Sequence, residues 1–366
     1  MKSAVKIRLY PTKRQKHEIF RQFEVHRNLY NYCLEERRDS YEKDKTTISC
    51  YDQIKRNVPK FGGSNCSSLQ QTVRRLDKTF KSFFRRVKNG KTPGYPRFKG
   101  KFNSVDYCYS DGCKIRGDKV YFQHIGVIKA VIHRNVENPS RCVLNYQNGD
   151  FYAYFITDAS LKTLDKTGQN VGLDFGLKTF ITTSHNQRIN NPKYHNIYLK
   201  RLARLQSQRD KMEKGTRPRK LKTRQIQKTW KRITNLRHDF NHKTANDLIK
   251  RYDTVYLERL EIQRFDTKIR NINRTYRDVC WNNFTNLLTY KAANAGKKLV
   301  FVNPVYTSQT CSVCGDRHAL KLTEREFRCK CGNIMDRDVN AARNILKLGT
   351  VSENNLASGL RCLAKA

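Results

Sequence analysis

The sequence predicts an α+β chain of more than one domain: a small N-terminal β-barrel carrying inserted helices, then an α/β domain with a cysteine-rich insertion. Short alternating strands bounded by turn residues fill residues 103–158 and reappear alone at residues 4–9, with helical periodicity between. Beyond a linker near 159–168 strands alternate with helices, the texture of an α/β layer. At 366 residues the chain also exceeds the roughly 250–300 residues at which a single core stops growing.

In order, residues 4–9 (AVKIRL) alternate as a strand that Pro11 ends, and Gln15 to about Lys43 is helical. A second helix spans about Ser68 to Lys88, where Leu69, Val73, Leu76, Phe80, Phe83, Phe84 and Val87 recur at three and four. Ser67 with Gln70 offers a capping box, and Asn89-Gly90 a stop. The opposite face carries Arg74, Arg75, Lys78, Lys81, Arg85 and Arg86 and reads as free of acids. Residues 91–101 form a loop rich in Pro, Gly and Lys. Alternating runs then follow at 107–109, 120–122, 127–133, 142–145 and 151–157, separated by DG, GD and NGD turn signals. Residues 1–10 and 103–165 are thus expected to build the barrel, and 11–102 the inserted helical domain. In the second domain, VGLDFGLKTFITTS makes a tight hairpin, and 197–250 are long helices interrupted at 214–222. Strands at 254–258 (TVYLE) and 298–302 (KLVFV) flank a helix at 279–295, and a last helix starts near Asp338.

Charge narrows the function class. With 74 Lys+Arg against 32 Asp+Glu the net charge is +42, spread along nearly the whole chain. Such self-repulsion implies an anionic partner held close, and nucleic acid fits better than a membrane surface, for which no basic amphipathic helix beside an anchor is present. From Lys214 to Arg232 there are nine Lys/Arg and no acid. The candidate phosphate contacts are Arg74, Arg75, Lys78, Lys81 and Arg85 on one helix, and Lys220, Lys222 and Arg224 in that run. Tyr30 and Tyr32, among Arg27, Arg37 and Arg38, are candidates for base stacking, whereas Trp230, Trp281 and Phe284 read as core. No apolar run reaches about 18 residues and no signal-peptide pattern opens the chain. The expected location is therefore the cytoplasm, in association with the nucleoid.

Three acids stand where an acid is locally unwelcome: Asp174 inside an apolar strand, Glu258 at the end of another, and Asp338 at the start of the last helix. Read singly they are a turn residue, a surface strand end and a helix cap. Burying isolated carboxylates is costly unless they pair or hold metal. Together they would offer the oxygen ligands Mg²⁺ or Mn²⁺ prefers, and a pair of such ions supports phosphodiester hydrolysis. Spacing alone does not assemble them. Cys311, Cys314, Cys329 and Cys331 read as a Cys₄ zinc ribbon, within about 305–335, since paired thiolates suit tetrahedral Zn²⁺. The other eight of the twelve cysteines are scattered and read as ordinary thiols.

The ordered motifs VGLDFGLKTF, VYLERL and DRDVNAARNIL resemble the three RuvC motifs of TnpB proteins, transposon-encoded relatives of type V CRISPR effector nucleases. TSQTCSVCG and CGNIMDRD resemble that family's zinc ribbon, and KIRLYPT, LDKTFKSFFRR and GYPRFKGK its N-terminal half. The resemblance spans nearly the whole chain. It implies an oligonucleotide-binding-like barrel with helical insert over 1–165 and an RNase H-like (RuvC) domain over 166–366. It also implies Asp174, Glu258 and Asp338 as catalytic acids, with Asp336 as rival for the third role, and an RNA-guided DNA endonuclease encoded by a mobile element. The implied cofactors are Mg²⁺ or Mn²⁺ and Zn²⁺. The implied partners are a guide RNA from the transposon end and double-stranded DNA bearing a short adjacent motif. A guided repressor without cleavage and a transposase proper are the rival readings. One departure stands out: C-K-C has one residue between cysteines where the family has two, which makes His318 an alternative ligand.

Overall fold

The computed structural model describes residues 2–158, 163–259, 281–303, 305–320 and 324–363, the backbone alone from 353 on. Two compact units divide the chain, Met1–Ala159 and Ser160–Ala366. Among the described residues no helix is long and apolar enough to cross a membrane.

The first unit opens with β1 (Lys2–Tyr10), whose Val5, Ile7 and Leu9 are buried while Lys6 faces out, the period of two that its sequence carries. Three helices follow, α1 (Lys13–Asp44), α2 (Cys50–Asn57) and α3 (Cys66–Lys88), then β2 (Ser104–Cys108), β3 (Cys113–Arg116), β4 (Lys119–Phe122), β5 (Gly126–Val131), β6 (Arg141–Gln147) and β7 (Asp150–Asp158). The strands form one seven-stranded antiparallel sheet in the order β2-β6-β7-β1-β5-β4-β3. Its edges β2 and β3 are consecutive in the chain, joined by residues 109–112. That link spans at most about 19 Å, whereas the edges of a flat seven-stranded sheet lie about 29 Å apart, so the sheet must curl. Among the described residues the two edges are bridged at Tyr109 and Cys113 and share no ladder. Ile19, Phe23, Tyr30, Val73 and Leu76 of the helices join Ile7, Phe122 and Phe155 of the sheet in one apolar core.

Several expectations are corrected here. α3 begins two residues early because Asn65, not Ser67, is its cap: the Asn65 Oδ1 accepts from the Ser68 amide at 2.8 Å. Its apolar face leaves the core beyond Phe80, which still packs against it; Phe84 and Val87 are exposed, and Phe84 joins Phe80, Phe83 and Tyr95 in an aromatic group. An acid does meet the basic face, since Asp77 pairs with Lys81 at 2.9 Å and with Arg37 at 3.4 Å. Tyr30 is a core residue rather than a stacking surface, and of the two tyrosines only Tyr32 is exposed.

The second unit contains β8 (Asn170–Phe175), β9 (Thr179–Thr183), β10 (Arg188–Asn190), α4 (Tyr194–Asp210), α5 (Arg217–Arg251), β11 (Thr254–Glu258), α6 (Trp281–Ala295), β12 (Lys298–Val302), β13 (Glu326–Arg328), β14 (Ile334–Asp336) and α7 (Arg337–Leu363). Five strands pair in the order β10-β9-β8-β11-β12, antiparallel from β10 to β8 and parallel across β8, β11 and β12. The break between α4 and α5 is Lys211–Thr216, shorter than expected, because Thr216 and Pro218 restart a helix inside the basic run. Trp281 and Phe284 are core, as expected, but Trp230 is 36% exposed on α5.

Alternation sorts the sheet's two faces. Val171 and Leu173 of β8, with Val255 and Leu257 of β11, pack against Ala245, Leu248 and Ile249 of α5 and Trp281, Phe284 and Leu288 of α6. The intervening residues Gly172 and Tyr256 meet α7 instead. A Cβ on Gly172 would lie 2.1 Å from the Ala342 carbonyl, and one on Gly349 2.0 Å from the Tyr256 ring. Two glycines therefore let the last helix lie directly on the sheet. At the opposite strand ends, Asp253 accepts from the Thr167 and Gly168 amides and from Lys297 at 2.5 Å, which hold its carboxyl far below the usual range.

Candidate active site and metal centre

Geometry brings the three acids together. Asp174 is two residues beyond Gly172 and Glu258 two beyond Tyr256, so both side chains fall on the face that α7 covers. The parallel register pairs Leu257 with Leu173, which sets Glu258 beside Asp174 where the two strands end. Asp338 lies in the first turn of α7, above that edge. Electrostatics reports the same proximity. Desolvation, then the charges of Glu258 and Asp338, push the Asp174 carboxyl well above its usual range, with Arg337 opposing. Burial likewise raises Glu258, against a hydrogen bond donated by the Thr307 hydroxyl to its Oε1.

Asp336, the rival third acid, is engaged otherwise. Its Oδ1 accepts from the amides of Asp338 (3.0 Å) and Val339 (3.3 Å), which caps α7, and its Oδ2 pairs with Arg188 at 2.8 Å. Arg337 stands 3.6 Å from Asp338. Four residues with a part in this arrangement escaped sequence reasoning: Thr307, Arg188, Asn340 and Asn344. The two asparagines are buried on α7 and bind the loop below: Asn340 Nδ2 donates to the Thr310 carbonyl at 2.7 Å, and Asn344 Nδ2 to the Thr307 carbonyl at 2.8 Å. Polar residues four apart on the buried face of an amphipathic helix were the available signal.

The cysteines form a second centre. Cys311 and Cys331 sulfurs are 3.8 Å apart, Cys314 and Cys329 3.5 Å, and all four lie within 4.8 Å of one another. A tetrahedral ion with bonds of about 2.3 Å has sulfur–sulfur edges of about 3.8 Å, so the set fits one. The C-x-C spacing does not keep either sulfur away. Turns at Gly315 (φ 87°) and Gly332 (φ 85°) close the two knuckles. Burial alone would raise the Cys311 thiol, but donors from the Cys314 and Val313 amides and Asn333 outweigh it and bring it down to about 6.

The candidate phosphate contacts separate by helix geometry. Arg74, Lys78, Lys81 and Arg85 share one exposed stripe of α3, while Arg75 sits to one side with its guanidinium 4.9 Å from the Phe102 ring centroid. On α5, Lys220 and Arg224 share an exposed face, but Lys222 points the other way and donates to Gln208 at 2.9 Å.

Three family models match the chain: a Cas12f1-like TNB domain over 281–345, the OrfB "Probable transposase" model over 150–267 and a helix-turn-helix domain over 1–46. Over that last range the structure has one strand and one 32-residue helix. A Streptomyces pristinaespiralis protein named "Putative RNA-guided DNA endonuclease" is 31% identical over 364 residues, covering 95% of this chain and 90% of its own. This chain belongs to the TnpB family. A second relative, the Escherichia coli protein named "Putative RNA-guided DNA endonuclease InsQ", is 28% identical, covering 77% of this chain and 74% of its own. Among solved structures, that of a Cas12f1-sgRNA-target DNA complex shares the fold, with a TM-score of 0.58 at 15% identity, covering 94% of this chain and 98% of that one.

Proposed function

We propose that this TnpB-family chain is an RNA-guided DNA endonuclease of a mobile element, hydrolysing phosphodiester bonds at Asp174, Glu258 and Asp338. One observation carries the reading: two parallel strands end side by side with desolvated carboxylates on the face where the first turn of α7 adds a third. Desolvated like charges cost stability, and a protein that only bound DNA would have no use for that cost. Divalent ions bound there, Mg²⁺ or Mn²⁺, would supply an activated water and stabilise the leaving oxygen. Of this chain's own groups, Thr307 orients Glu258, while Asp336, fixed by Arg188, holds the first turn of α7 so that Asp338 faces the strand ends. The strand order with its parallel β8, β11 and β12 supports the RNase H-like (RuvC) reading of the second unit, and the curl of the first sheet supports the oligonucleotide-binding-like barrel. The four cysteines would hold Zn²⁺. Guide RNA from the transposon end and double-stranded DNA with a short adjacent motif are the partners that the charge and the relatives' names favour.

Asp174→Asn tests the assignment. The variant should leave a guide-matched plasmid uncut while retaining RNA-dependent DNA binding. Cleavage at the wild-type rate would remove Asp174 from the reaction. Sequencing the RNA that co-purifies separates a guided enzyme, which carries one discrete species, from a transposase, which carries none.

A further inference from the structure

The ribbon holds more donors than a tetrahedral ion needs. His318 Nε2 lies 3.1 Å from the Cys329 sulfur, and the Asp316 carboxylate, His318 and Cys329 form a second set with donor atoms within 4.8 Å of one another. Cys329 is thus the shared corner of two donor sets. His318 does not swing freely. Its amide donates to the Gln309 carbonyl at 2.8 Å, the neighbouring Arg317 bridges Thr310, and its ring stands edge-on to the buried Phe327 at 5.8 Å. The backbone therefore presents the imidazole to one particular corner of the cluster.

We infer that His318 is a reserve ligand of the metal centre, taking the corner of Cys329 when that thiolate is lost. The inference rests on reading the four cysteines as a metal centre. Removal of the Cys329 sulfur vacates a position about 3 Å from the imidazole nitrogen. Metal–nitrogen bonds of about 2.0–2.1 Å are shorter than metal–sulfur bonds of about 2.3 Å, so the exchange needs the imidazole to rotate about its side-chain bonds into the vacated corner. The site then passes from four thiolates to three thiolates and one neutral imidazole, and its net charge with a divalent ion from −2 to −1. With Cys329 present, its sulfur completes the tetrahedron and His318 stays outside it, as a contact to that sulfur.

The test loads the full chain anaerobically with Co²⁺, whose absorption reports the ligand set, and measures metal per chain and affinity. With Mg²⁺ in excess to occupy the carboxylates, the wild type should show a four-thiolate spectrum that saturates at one Co²⁺, and His318→Ala should match it. Cys329→Ala should still bind one ion, with thiolate charge-transfer intensity lower by about a quarter and ligand-field bands moved to higher energy. Adding His318→Ala to Cys329→Ala should weaken binding on the order of tenfold or more, since loss of a supporting partner alone costs 10–100-fold. No binding by the wild type would overturn the metal centre itself. A Cys329→Ala affinity indifferent to His318 would overturn the reserve role alone. So would a wild-type spectrum altered by His318→Ala. Cys329→Ser repeats the comparison if the alanine variant does not fold.

Discussion

The carboxylate of Asp174 is held where water would otherwise stabilise its charge, next to two others of the same sign. Such a site is a store of destabilisation that a divalent ion would relieve. In chelator, Asp174→Asn should therefore be more stable than the wild type by about 1 kcal/mol, within the usual stability–function trade. Mg²⁺ should raise the wild-type melting temperature and leave the variant's nearly unchanged; differential scanning calorimetry with and without the ion checks both. His26 makes a second prediction at this scale. It is fully buried between Thr72 (2.6 Å) and Ser64 (3.0 Å), and desolvation, with the Arg75 charge, lowers its pKa to about 4. The unfolded state, titrating near 6.5, takes up the proton first. Stability is thus whole above about pH 6.5 and falls as pH drops toward 4, by ~3 kcal/mol at most. His26→Gln, which keeps hydrogen-bonding groups but no titration, should flatten that part of the pH profile in urea unfolding followed by circular dichroism.

Among the elements, the seating of α7 on β8 decides whether the three acids meet. Gly172→Ala would drive a methyl into the Ala342 carbonyl, a backbone that does not yield cheaply. A loss of ~1–3 kcal/mol is expected, together with a fall in cleavage. Both tryptophans belong to the second unit, so their fluorescence in a urea titration reads this variant cleanly. Elements with a clear pattern were legible beforehand: β1 and α3 follow the spacing of their buried residues, and β8, β9 and β11 are near-continuous apolar runs buried on both faces. The three acids stood out as candidates, Asp174 inside an apolar strand, Glu258 at the end of another and Asp338 at a helix start, but the family resemblance and not their spacing grouped them. What stayed hidden lacked such a pattern. β10 is three residues long, and α2 (CYDQIKRN) has too few apolar positions to show a face. The start of α5 reads as loop because its residues are nearly all cationic, yet a Thr-x-Pro start makes it helix. The helical phase that turns Lys222 away from Lys220 and Arg224 could be read only once that boundary was known. Contacts across long separations, such as Thr307 with Glu258 or Arg188 with Asp336, leave no trace in spacing at all.

For the molecule as a whole, the net charge of +42 sets the behaviour toward a polyanion. Binding should weaken steeply with salt, and each lost phosphate contact should lower the slope of log affinity against log salt by about 0.7–0.9. Lys220→Ala with Arg224→Ala should reduce the slope by about 1–2, whereas Lys222→Ala, turned toward Gln208, should leave it almost unchanged; fluorescence anisotropy of guide RNA over a salt series distinguishes them. A different consequence follows from β1, which lies at the centre of the first sheet between β5 and β7. This strand leaves the ribosome well ahead of its hydrogen-bonded neighbours, which exist only once residues 126–131 and 150–158 have been made. At about 5–20 residues per second, that leaves Val5, Ile7 and Leu9 without their partners for roughly 6–30 s, the window in which a nascent-chain chaperone would find them.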